Sequence, residues 1–106
     1  PPDWIRIRPD TRGTVVSLQD SVLFAPGEAE LGPVARQALL RLGQALNKQK
    51  ALIRVEGHTD TVPIRNGRYA SNWELSTARA TAILRFLAEQ AGIPPQRLSA
   101  AGYGQF

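Results

Sequence analysis

Cysteine is absent from the 106 residues, which excludes a disulfide frame and a thiolate metal site. Histidine occurs once: His58 forms His-x-Asp with Asp60, a spacing some metal sites use, but no third or fourth ligand is evident. No run approaches the ~20 apolar residues of a membrane-spanning helix, and no signal-peptide pattern opens the chain. The opening PPDWIRIRPD reads as the interior of a longer chain, so an excised domain is expected. No serine sits in Gly-x-Ser-x-Gly, so a hydrolase would have to assemble Ser71 or Ser76 with His58 and Asp60. Basic residues are scattered, with Arg6, Arg8 and Arg12 early, Arg65 and Arg68 midway, and Arg79, Arg85 and Arg97 later. Without a basic run interleaved with aromatics, nucleic acid is a poor candidate partner. Internal repeats and low-complexity segments are also missing.

What is present is ordinary for a globular chain: 42% hydrophobic and 21% charged residues. The length is that of one domain, and a chain of this size buries roughly 65% of its unfolded surface, enough for a core without staples. Thirteen Lys and Arg against nine Asp and Glu give a net charge of +4, which leans the chain towards anionic partners.

Residues 1–13 are Pro-rich and charged, a linker or an edge segment. TVVSLQ (14–19) has the β-branched content of a strand. VLFAPGEAELGP then turns at Pro26-Gly27 and Gly32-Pro33, and Pro33 suits the first position of a helix. Ala35, Leu39, Leu42 and Leu46 recur at helical spacing, so 33–48 is an amphipathic helix. In ALIRVEGH (51–58), Ile53, Val55 and Gly57 alternate with Arg54, Glu56 and His58, which predicts a strand with one covered and one wetter face. TVPIRNGRYA (61–70) is a loop, long enough for such a connection to suggest function. Ser71-Asn72-Trp73-Glu74 matches a capping box, and the helix it opens runs to about Gln90, stopped by Gly92 and Pro94-Pro95. Its core stripe is Ala80, Ile83, Leu84, Leu87 and Ala91. QRLSAAGYG reads as a last strand. The expected order is β-α-β-α-β, an α/β arrangement with both helices on one face of a small sheet.

Asp60 falls at the carboxyl end of the second strand, where ligands of open α/β sheets tend to sit. Asn72 and Arg79 are seven positions apart on nearly one helix face, with Ser76 between them. A helical arginine leans back towards the N-terminus, so its guanidinium can approach Asn72 and Asp60. A carboxylate and a bidentate cation around one cleft suit a zwitterion, with an ammonium on Asp60 and a carboxylate on Arg79. Spacing alone favours Asp60 and Arg79 simply pairing with each other to lock the loop onto the helix, and it also allows Asp60 to close an Asx turn. Trp73 and Tyr69 could offer a stacking surface or close the helix start as a staple.

At VLFAPGEAEL, VEGHTD, SNWELSTARA and RLSAAGYG the chain resembles the OmpA-like, peptidoglycan-associating domain family, over nearly everything from residue 14 onward. The resemblance implies an α+β sandwich, with 14–106 as the domain and two helices on one face of a small mixed sheet. It further implies non-covalent, non-catalytic binding of the diaminopimelate residue of the peptidoglycan stem peptide, without cofactor or metal. The family aspartate matches Asp60 and would hold the ammonium, and the arginine of the Arg-Ala pair matches Arg79 and would clamp a carboxylate. Asn72 and Leu75 match the family's Asn-x-x-Leu-Ser, and Thr59 matches its threonine beside the aspartate. Pro63-Ile64 in a longer loop is similar to the flagellar-stator branch. That branch implies a homodimer, a channel-subunit partner, and a periplasmic domain of a single-pass inner-membrane protein. A type VI secretion TssL-like anchor, an outer-membrane lipoprotein, and a peptidoglycan hydrolase using His58 and Asp60 are the alternatives. Many members continue past Gly-Tyr-Gly into an Asn-Arg-Arg segment that adds a strand and a second arginine, and here Ala25, Pro26 and Gly27 offer only backbone. Weak binding by this domain alone is therefore expected.

Overall fold

A computed structural model describes residues 5–11, 13–19, 23–50, 52–64 and 66–106. Expectations resting on residues 1–4, Arg12, Val22 and Arg65 lie outside the described residues. The elements are β1 (Ile5–Asp10), β2 (Gly13–Gln19), α1 (Pro33–Asn47), β3 (Ile53–His58), α2 (Asn72–Glu89) and β4 (Leu98–Gly102). One element is added to the expected order: the opening segment is a strand, pairing antiparallel with β2 from Ile5↔Leu18 to Asp10↔Gly13. Its Ile-Arg-Ile-Arg alternation is a strand period, and Pro9 is tolerated because β1 is an edge.

The sheet runs β1-β2-β3-β4, with β2, β3 and β4 parallel. Each parallel step needs a crossover, and α1 and α2 provide the two. The core gathers Val16, Ile53 and Val55 from the sheet, Leu39 and Leu46 from α1, and Ile83 and Leu87 from α2. Leu42, Leu84 and Ala91 of the expected stripes are only partly buried against it, while Phe86, outside those stripes, belongs to the core. Across the sheet, Arg54, Glu56 and His58 occupy the other face, as alternation predicts. Glu56 nevertheless is only 4% exposed. Arg54 Nη2 lies 3.0 Å from its carboxylate, and Arg8 Nη2 and His58 Nε2 lie at 3.5 Å.

Helix α2 begins after the expected N-cap, Ser71, with Glu74 in its first turn. The Ser71 hydroxyl oxygen accepts from the Trp73 N–H at 3.1 Å, and the hydroxyl donates to Glu74. That donation holds the Glu74 carboxyl below its ordinary range. The helix then lies close on the sheet at Gly57, where an added Cβ would stand 2.5 Å from the Ser76 carbonyl oxygen. Only glycine admits that approach.

Gly57→Ala should therefore cost about 1–3 kcal/mol through forced separation of α2 from β3, read as a lowered denaturation midpoint. Ser71→Ala should cost about 1 kcal/mol at neutral pH. Because the folded carboxyl of Glu74 titrates lower than the unfolded one, its share of stability is complete above the ordinary carboxylate range. It is lost as pH falls through the lowered value. The gap between parent and Ser71→Ala in chemical denaturation should accordingly narrow with acid.

Candidate functional site

The buried face of α2 changes character along its length. Asn72, Ser76 and Arg79 come first, and Ala80, Ile83 and Leu87 follow. Spacing of four and then three keeps the polar trio on one stripe, so the first half of the helix faces a site and the second half the core.

Arg79 is 4% exposed, and two of its nitrogens bind backbone carbonyls. Its Nε donates to the Glu28 carbonyl oxygen at 2.8 Å, and Nη2 donates to that of Ala25 at 3.1 Å. The guanidinium carbon lies 5.1 Å from the centre of the Phe24 ring, within cation–π range. A buried cation needs such partners to replace water. The segment that offers only backbone by its sequence thus supplies carbonyls that orient the arginine.

Asp60 is exposed, and its Oδ1 accepts from the Val62 N–H at 3.0 Å, so the Asx turn is real. Thr59 is buried; its N–H donates to Gly104 at 2.8 Å and its hydroxyl donates to the Asp60 carbonyl oxygen at 3.0 Å. The threonine therefore fixes the strand end from which Asp60 projects. Asn72 Nδ2 donates to the Val62 carbonyl oxygen at 3.0 Å.

These side chains meet around one cavity of about 290 Å³. Asp60, Thr59, Asn72, Leu75 and Arg79 all line it, so the five expected site residues are brought together. Phe24, Val62 and Ile64 add apolar wall, and Pro26 and Gly27 complete the rim. Sequence reasoning did not name Phe24, Val62 or Ile64 as site residues; the available signal was two apolar side chains stranded in an otherwise polar loop. That loop is clipped across the cavity. Asn66 Nδ2 donates to the Gly27 carbonyl oxygen at 3.3 Å, and Arg68 Nη1 lies 3.3 Å from Glu28. Gly27 adopts φ +72°, and a Cβ there would meet Asn66 at 2.9 Å.

The hydrolase set does not assemble. Ser76 is wholly buried, donates to the Trp73 carbonyl oxygen and accepts from the Gly104 N–H; Ser71 caps the helix. His58 lies against Glu56 and stacks on Tyr103, with ring centres 5.2 Å apart. Among the described residues, no three His, Cys, Asp or Glu converge as a metal site would require. Trp73, half exposed, stacks on Phe106 at 5.2 Å and borders, with Tyr69, a separate groove on the outer side of α2.

Comparison with known proteins follows the same lines. YtxE of Bacillus subtilis, an uncharacterized protein, is 42% identical over 94 residues, covering 89% of this chain and 39% of its own length. Motility protein B of Bacillus subtilis is 32% identical over 100 residues, covering 91% of this chain and 37% of its own length. The chain thus spans about two-fifths of these relatives. The solved structure of the cell wall anchor of the type VI secretion system from Pseudomonas aeruginosa superposes with a TM-score of 0.80 at 34% identity, over 94% of this chain and 69% of that one. The OmpA family model matches residues 23–105, an interval that holds both helices, β3, β4 and every residue lining the cavity. The chain belongs to the OmpA family.

Proposed function

We propose that this domain is a non-catalytic wall anchor that holds peptidoglycan non-covalently, through the diaminopimelate residue of the stem peptide. The observation that carries the reading is the lining of one cavity by Asp60 and Arg79 together with Phe24, Val62, Ile64 and Leu75. A carboxylate, a guanidinium and apolar wall suit a ligand with an ammonium, a carboxylate and an aliphatic body. Diaminopimelate has all three. The preset orientation of Arg79 favours planar, bidentate recognition of a carboxylate.

Two charge-assisted contacts of about 1.5–3 kcal/mol each give a dissociation constant between millimolar and tens of micromolar. That is weak for a single site. A wall polymer repeats its ligand, however, and several domains per machine convert weak sites into firm retention. Anchoring needs no chemistry beyond this.

The relation to Motility protein B supports a stator role. The intact protein would then cross the inner membrane once, place this domain in the periplasm, form a homodimer and join a channel subunit resembling MotA. The domain would grip the wall so that torque acts on the rotor. The structural likeness to the type VI secretion wall anchor favours a second reading, in which the ligand is the same and the machine differs.

Asp60→Ala and Arg79→Ala should each abolish co-sedimentation with purified sacculi, with Asp60→Ala the cleaner because Arg79 also holds residues 25–28. Arg79→Lys should weaken retention for want of the fork. Retention of all three at the parent level would remove Asp60 and Arg79 from the site. Muropeptides incubated with the domain should emerge intact by chromatography and mass spectrometry; cleavage that disappears in His58→Ala would replace the anchor with a hydrolase.

A further inference from the structure

Val62 is fixed from two sides. Its N–H donates to Asp60 Oδ1 at 3.0 Å, and its carbonyl oxygen accepts from Asn72 Nδ2 at 3.0 Å. The two ends of that relay differ in rigidity. Asn72 is 5% exposed at the first position of α2, whereas Val62 is 65% exposed in a segment without regular secondary structure. The same Asn72 nitrogen lies 3.5 Å from Gln105 Oε1. Because the Val62 carbonyl can only accept, it dictates which end of the Asn72 amide faces it.

An exposed carboxylate ordinarily samples several rotamers in water. The Asx turn restrains Asp60 only as well as Val62 is itself restrained. We propose that Asn72 acts on the ligand through Asp60: it anchors Val62, whose N–H orients the Asp60 carboxylate towards an incoming ammonium. Asn72 is then a positioning residue and not a ligand contact, which departs from the role the family resemblance implies for it. The inference rests on the reading of the cavity as an ammonium site.

The test compares two probes, a diaminopimelate-containing tripeptide stem and the same peptide acetylated on its diaminopimelate amine, by calorimetric or NMR titration of the full chain. Acetylation removes the charge that Asp60 reads, so the parent should prefer the free amine. In Asn72→Ala that preference should shrink by about three- to tenfold, the factor expected for one lost hydrogen bond. Asn72→Leu keeps the buried bulk and should behave alike, so the result does not depend on one variant folding. Added to Asp60→Asn, Asn72→Ala should change the preference no further, because the two act in series. An undiminished preference in folded Asn72 variants, or an equal further loss in the Asp60→Asn background, would overturn the relay. A parent that does not distinguish the probes would remove the ammonium site, and the relay with it.

Discussion

A single desolvated guanidinium organises the functional end of this domain. Arg79 is almost wholly buried in α2, and its Nε and Nη2 hold the carbonyl oxygens of Glu28 and Ala25. Removing such a cation from water costs several kcal/mol unless hydrogen bonds and ring faces replace the hydration. Residues 25–28 meet that need with backbone and Phe24 with its ring. The dependence runs both ways, since an irregular segment without a helix or strand of its own gains a fixed place from the arginine. One wall of the cavity follows from it. The 61–70 loop then has something to dock on, at Gly27 through Asn66.

The same helix serves two environments. Its first turns bury polar side chains that bond to loops, and its later turns bury apolar ones against the sheet. The sharp approach at Gly57 holds both halves at one depth, so site and core are not independent. On the opposite face, Glu56 draws Arg54 from its own strand and Arg8 from β1, two strands away. Arg8 is 53% exposed, so the pair lends little energy to an edge strand. Its effect is better described as register, one carboxylate beneath cations from two strands.

Much of the scaffold was legible because its signals are local. The Ser71 cap, Pro33 at a helix start and the helical spacing of Leu39 and Leu46 each state an element within a few residues. The stripe of Asn72, Ser76 and Arg79 was legible for the same reason. The opening strand was half-legible: Ile5 and Ile7 alternate with arginines, yet nothing nearby announces that β2 will accept the pairing. The burial of Glu56 was not legible: alternation puts it on the wetter face, and one of the cations around it, Arg8, comes from a strand far away in sequence.

By itself the sequence determined the order of the elements from β2 onward, the face each helix buries, and which side chains bear charge near the end of β3. Periodicity and capping are short-range properties, and they survive being read one window at a time. The tertiary structure alone decided that Arg79, on the cavity that Asp60 also lines, takes loop carbonyls. It likewise decided that Phe24 and Ile64 share a cavity with both. Those outcomes depend on segments forty and fifty residues apart meeting at one place, and no local pattern encodes where a chain will return.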